Sequence, residues 1–160
     1  MTIILDMGGV LMQHNMPECI RRFCEMLGEE GMANTLGMKV NAEGLPDSLM
    51  EKFECGLVTT EEFVHTILAN AKEGTTEQQI IDAWNTMHAG IPLERIEQIK
   101  RWKKLGHHLL LLSNNNALHW EDIHAHYDMS IFDQCFASHL VHSHKPNKPI
   151  YEHIQKYLID

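Results

Sequence analysis

The chain has 160 residues, 44% of them hydrophobic and 22% charged, with 13 basic and 22 acidic side chains for a formal charge of -9. The length suits one domain with a small appended lobe. The charge excludes a protein that tracks a nucleic-acid backbone, but not a local anion site built from a few N–H groups and one cation.

No stretch approaches the roughly 20 apolar residues of a membrane span. No basic leader with an apolar block and a cleavage site precedes the first strand. Cys19, Cys24, Cys55 and Cys135 show no CxxC spacing, so they read as reduced, core-packing thiols of a cytoplasmic protein.

Ile3, Ile4 and Leu5 predict a short buried strand, too brief for a helix. Cys19, Ile20, Phe23, Cys24 and Leu27 recur at helical spacing over residues 16 to 27, and residues 28 to 46 carry little pattern. Asp47 is placed to cap a helix through "SLMEKFE", stopped by Gly56. Thr59 and Glu62 form a capping box before Phe63, Val64, Ile67 and Leu68. Thr75 and Gln78 repeat the device before Ile80, Ile81, Trp84 and Met87.

Pro92 opens a further helix, with Leu93, Ile96, Ile99 and Leu105 inward and Gly106 as its stop. "HHLLLLSNNN" reads as the second strand, "ALHWEDIHAHY" as a helix and "QCFASHLV" as a third strand. Asn147 and Pro149 start a last helix with Ile150, Tyr151, Ile154 and Leu158 inside. Apolar strands alternating with helices imply a parallel sheet covered on both faces. Residues 13 to 90 contain no strand and read as a helical insertion.

In open parallel sheets, ligands bind off the carboxyl ends of the strands. Asp6 follows the first strand, Ser113 and Asn114 follow the second, and Lys145 lies shortly past the third. An acid, a hydroxyl with adjacent N–H donors, and an ammonium on one crevice suit phosphoryl transfer. The carboxylate can attack phosphorus, and the others can hold the equatorial oxygens. Gly8 and Gly9 allow close backbone approach, and Mg²⁺ would screen carboxylate from phosphate.

At these residues the chain resembles the haloacid dehalogenase (HAD) superfamily, in its branch with a helical cap after the first motif. "LDMGGVL" is similar to the DxDGT/V motif and "LLLLSNN" to the strand ending in Ser/Thr. "HKPNKPIYEHI" is similar to the lysine motif, and "FECGLVTTEEF" to the "fErGeiseeeF" stretch of such caps. The resemblance implies a three-layer α/β core of residues 1–12 and 91–160 with a Rossmann-like parallel sheet, and an all-helical cap of residues 13–90.

It implies Asp6 as nucleophile, Ser113 and the Asn114 backbone on phosphate, and Lys145 stabilising nucleophile and phosphoryl group. Gly8 and Gly9 would approach the phosphate. The Gly8 carbonyl and Asp6 would hold Mg²⁺. The implied activity is a Mg²⁺-dependent phosphatase of a small phosphorylated metabolite, with the cap closing over the crevice.

Two departures stand out. The position two after the nucleophile, an aspartate acting as general acid in most family phosphatases, is Gly8. The family's fourth, acidic motif, which completes the metal site, does not follow Leu158, so the chain reads as truncated and its Mg²⁺ site as incomplete. Without the strand carrying that motif, "TIIL" would lie at a sheet edge open to self-association.

Other readings stay open. A 2-haloacid dehalogenase would use Asp6 on carbon without metal, and a catalytically impaired domain would act by association. Ser113 is also a helix cap in position, and Lys145 a surface lysine. His119 and His124 are five apart, and His124 and His126 two apart, spacings that do not share a helix face and are not read as a metal site. His142 and His144 flank Lys145 and are placed to line the crevice. Trp84 and Trp102 are assigned to the core.

Overall fold

The computed structural model describes residues 1–37 and 48–159. The elements are β1 (Thr2–Leu5), α1 (Met16–Leu36), α2 (Leu49–Glu54), α3 (Thr60–Leu68), α4 (Glu77–Asn85), α5 (Leu93–Lys104), β2 (His108–Ser113), α6 (Ala117–His126), a 3-10 turn at Met129–Ile131, β3 (Gln134–Ala137), α7 (Ser138–Val141) and α8 (Lys148–Gln155). Among the described residues no helix is long and apolar enough to cross a membrane.

The three described strands form one parallel sheet in the order β1-β2-β3, with Leu5 opposite Leu111 and Ser113 opposite Ala137. Side chains alternate faces along a strand, so the leucine run of β2 divides. Leu109 and Leu111 join Leu5, Met7, Ile99 of α5 and Ile123 of α6. Leu110 and Leu112 join Phe136 and the α8 residues Ile150 and Ile154 on the other face. Both faces are covered by helices, giving the expected α/β, three-layer arrangement. Within the described sheet β1 is an edge strand, and Ile4 is 47% exposed.

The chain from 16 to 85 is helical wherever it is described, except at its connections. Its own core gathers Phe23, Phe53, Phe63, Ile67, Ile80 and Trp84. Phe53 stacks on Phe63 at 4.1 Å, and Phe63 meets Trp84 edge-on at 4.9 Å, arrangements that add to simple burial. Leu118 of α6 enters the same cluster, so the helical block is seated on the core. The two connecting segments lie side by side. Gln13 N–H donates to the Gly90 carbonyl at 2.9 Å, Ala89 N–H to Gln13 at 2.8 Å, and Asn15 N–H to Met87 at 2.8 Å.

Local signals explain most boundaries. The Thr59–Glu62 capping box is present in both directions. The second box is one residue later than expected: Thr76 caps and Gln79 answers. "GTTEQQ" offers two Thr–Gln pairs at the same spacing, and the Thr76 pair is the one that forms. Helix α2 is capped by Ser48 with Glu51; the expected cap, Asp47, lies outside the described residues.

The third strand is shorter than "QCFASHLV" suggests, ending at Ala137 where Ser138–Val141 turns helical. Leu93 (66% exposed), Leu105 (65%), Tyr151 (40%) and Leu158 (47%) are not inward as expected. Leu105 and Leu158 lie past the last turns of α5 and α8. Tyr151 sits one position, about 100°, round from buried Ile150. Trp84 is core, and the four cysteines are free thiols.

Candidate active site

β1 ends at Leu5, so Asp6 is the first residue beyond the sheet's ladder. Its Oδ1 accepts the Met7 N–H at 2.8 Å, and its Oδ2 pairs with Lys145 Nζ at 2.7 Å. Lys145 Nζ also donates to the Leu112 carbonyl at 3.0 Å, one residue before the end of β2. The ammonium therefore bridges the carboxyl ends of two strands. Residues 7–12 fold into a tight loop, with Leu11 and Met12 N–H both donating to the Met7 carbonyl.

Asn114 holds the lysine segment by both ends of its amide. Lys145 N–H donates to Asn114 Oδ1 at 2.7 Å, and Asn114 Nδ2 donates to the Lys145 carbonyl at 3.1 Å. Ser113 is 1% exposed, and its hydroxyl donates to the Asn114 carbonyl at 3.1 Å. It caps nothing; Asn116 is the N-cap of α6.

A small cavity of about 70 Å³ is lined by Gly8, His14, Glu54, Ser113, Asn114 and His119, among others. A Cβ on Gly8 would lie 2.8 Å from His14 Cε1 and 2.9 Å from its Nε2. The His14 imidazole thus takes the place that a side chain at position 8 would occupy.

Behind the cavity, Asn116 Oδ1 accepts from Trp84 Nε1 at 3.1 Å and from His119 N–H at 3.0 Å. His119 Nε2 donates to the Trp84 carbonyl at 2.9 Å, which leaves Nδ1 to accept from Asn116 Nδ2 at 3.2 Å. Both ring nitrogens are engaged in the neutral form. Burial, with His88 nearby, pushes its pKa down to about 3. His88 gives its Nδ1 to Asp122 at 3.1 Å, and burial outweighs that carboxylate to lower its pKa. Glu54 is raised to about 7 by burial, reinforced by the Glu51 carboxylate.

His142 and His144 do not line the cavity; they turn to the helical block. His142 Nδ1 donates to the Cys55 carbonyl at 3.1 Å, and His144 Nδ1 lies 3.2 Å from Cys55 Sγ. Gly56, at φ +64°, abuts the His139 carbonyl so closely that a Cβ there would lie 2.3 Å from its oxygen. Ser138 Oγ, 2.5 Å from the Glu54 carbonyl, donates to it and accepts the Asn115 N–H at 2.9 Å. The end of α2 is therefore fastened to the segments following β2 and β3. Sequence reading missed Glu54, His14, Asn116 and His119 as cavity groups. Polar residues at helix ends and in linkers carry no periodic signal.

Among the described residues no three His, Cys, Asp or Glu side chains converge to hold a metal. Asp6 has accepted two hydrogen bonds of the roughly four its carboxylate can take. Asp6 and the Gly8 backbone in the same loop offer oxygen donors of the kind a hard cation such as Mg²⁺ takes.

No family model and no curated protein matches the chain. Solved structures do. A HAD family enzyme from Bacteroides thetaiotaomicron is 24% identical, with a TM-score of 0.81 over 99% of this chain and 79% of that one. A complex of that enzyme with magnesium and inorganic phosphate superposes with a TM-score of 0.78, at 24% identity over 96% of this chain and 76% of that one. A predicted HAD-like family hydrolase from Porphyromonas gingivalis is 27% identical, with a TM-score of 0.80 over 99% and 77% of the two chains.

Proposed function

We propose that this chain, by its fold a member of the haloacid dehalogenase-like superfamily, is a Mg²⁺-dependent phosphatase of a small phosphorylated metabolite, working through an aspartyl-phosphate on Asp6. The observation that carries the reading is the 2.7 Å pair between Asp6 Oδ2 and Lys145 Nζ at the carboxyl ends of the strands. A carboxylate and an ammonium are already in register there. The solved relative that binds magnesium and inorganic phosphate supports the choice of substrate class.

In this reading an Asp6 oxygen attacks phosphorus and the bond to the leaving oxygen breaks. Lys145 holds the Asp6 carboxylate by its Oδ2 and neutralises phosphoryl oxygens, while Ser113 and the Asn114 N–H hold the remaining oxygens. Mg²⁺, held by Asp6 and the Gly8 carbonyl, would supply the screening that lets an anionic carboxylate approach an anionic ester. Gly8 and Gly9 leave the loop backbone free to approach the phosphate. Residues 1–12 and 91–160 serve as the core, and 13–90 as the cap that excludes water and selects the substrate.

Hydrolysis of an aryl phosphate with Mg²⁺, with chelator, and by Asp6→Asn tests this. Activity should require Mg²⁺ and vanish in the variant. Activity that survives Asp6→Asn removes Asp6 as nucleophile. Activity indifferent to chelation contradicts the metal-dependent reading.

A further inference from the structure

We propose that Glu54, presented by the helical block, is the proton donor to the leaving oxygen, supplying from α2 the acid that the loop at position 8 does not carry. The inference rests on the phosphatase reading. Three observations lead to it. Gly8 has no side chain, and the space beside it holds the His14 ring rather than a carboxyl. Glu54 lines the same cavity as Gly8, Ser113 and Asn114. Its backbone is fastened there by Ser138, and its neighbour Cys55 by His142 and His144, so the residue sits on a fixed helix end.

The other titratable groups facing this space are accounted for. Asp6 and Lys145, just outside the lining, hold each other, His119 is bonded at both nitrogens, and His88 is given to Asp122. His14 remains as the competing donor. Glu51, close enough to repel a second negative charge, and burial together favour the protonated form of Glu54 up to about pH 7.

The step balances. Asp6 forms the bond to phosphorus, the phosphorus–oxygen bond to the leaving group breaks, and the Glu54 proton moves to that oxygen. In the second half, Glu54 carboxylate takes a proton from the water that attacks phosphorus. The Asp6–phosphorus link then breaks, and phosphate leaves with the acid restored.

The experiment compares an alkyl phosphate, whose leaving alkoxide needs a proton, with p-nitrophenyl phosphate, whose leaving group does not, both with Mg²⁺. Glu54→Gln should lower the alkyl rate about 10²–10⁴-fold more than the aryl rate. In the native chain the alkyl-to-aryl ratio of kcat/KM should fall as pH rises through about 7. Equal loss on both substrates marks a structural role and overturns the proposal. So does a selective loss in His14→Gln that Glu54→Gln lacks. If Glu54→Gln does not fold, the native profile decides, and a flat ratio from about pH 5 to 9 overturns it. Activity surviving in Asp6→Asn, or none in the native chain, would instead defeat the phosphatase reading beneath it.

Discussion

Asn116→Ala removes three things at once from the joint between the helical block and the core. The side chain caps α6 through the His119 N–H, receives the Trp84 indole N–H, and donates to the His119 ring. Loss of an N-cap costs about 1 kcal/mol. Asn116 is 1% exposed and Trp84 2%, so the orphaned indole N–H meets no bulk water and adds about 1–3 kcal/mol. These two come to about 2–4 kcal/mol, with the His119 ring nitrogen left without its donor adding to it, and for a chain of this size each kcal/mol moves Tm by roughly 2–4 °C.

Urea unfolding followed by tryptophan fluorescence measures it. A double-mutant cycle with Trp84→Phe isolates the indole part, because the cost of Asn116→Ala should shrink by about 1–3 kcal/mol once no indole N–H is left to orphan. An undiminished cost in the Phe background, or a total below about 1 kcal/mol, would refute the reasoning.

Stability should depend on pH through buried groups of opposite sign. His119, His88 and His139 have lowered pKa values, so the unfolded state takes up protons first, and stability falls as pH drops below about 6.5. Glu54, raised to about 7, acts oppositely, stabilising at low pH and losing that contribution between about 4.5 and 7. His119→Asn should therefore flatten the acid side of a urea-midpoint profile, and Glu54→Gln should steepen it. Gly56→Ala should destabilise by about 2 kcal/mol or more, since it combines left-handed backbone with a backbone clash. Gly8→Ala meets only the exposed tip of His14 and should cost under about 1 kcal/mol by thermal melting. Lys145→Met should cut turnover of an aryl phosphate about 10²–10³-fold, the scale of losing one transition-state charge partner.

The sheet was legible in the sequence because short apolar runs flanked by turn formers have few alternatives. The order of Asp6, Ser113 and Lys145 along the chain then placed them at one sheet end. Leu93, Leu105 and Leu158 are exposed against the helical pattern because periodicity does not say where a helix stops or how wide its buried stripe is. The partners of His142 and His144 were illegible for another reason. They face Cys55, nearly ninety positions earlier, and only the tertiary fold sets that meeting. The motif points to the Asn114 backbone, whereas its side chain does the holding.

That side chain has a further consequence. By taking one N–H and giving one back to a single distant residue, the Asn114 amide imitates a rung of β-pairing beyond the point where β3 turns into α7. The lysine is thus indexed from the central strand, not from the connection that leads up to it. The intervening segment 138–144 is freed from the task of measuring length. It can carry the histidines that grip the helical block, while the ammonium keeps its alignment with the carboxylate that follows β1.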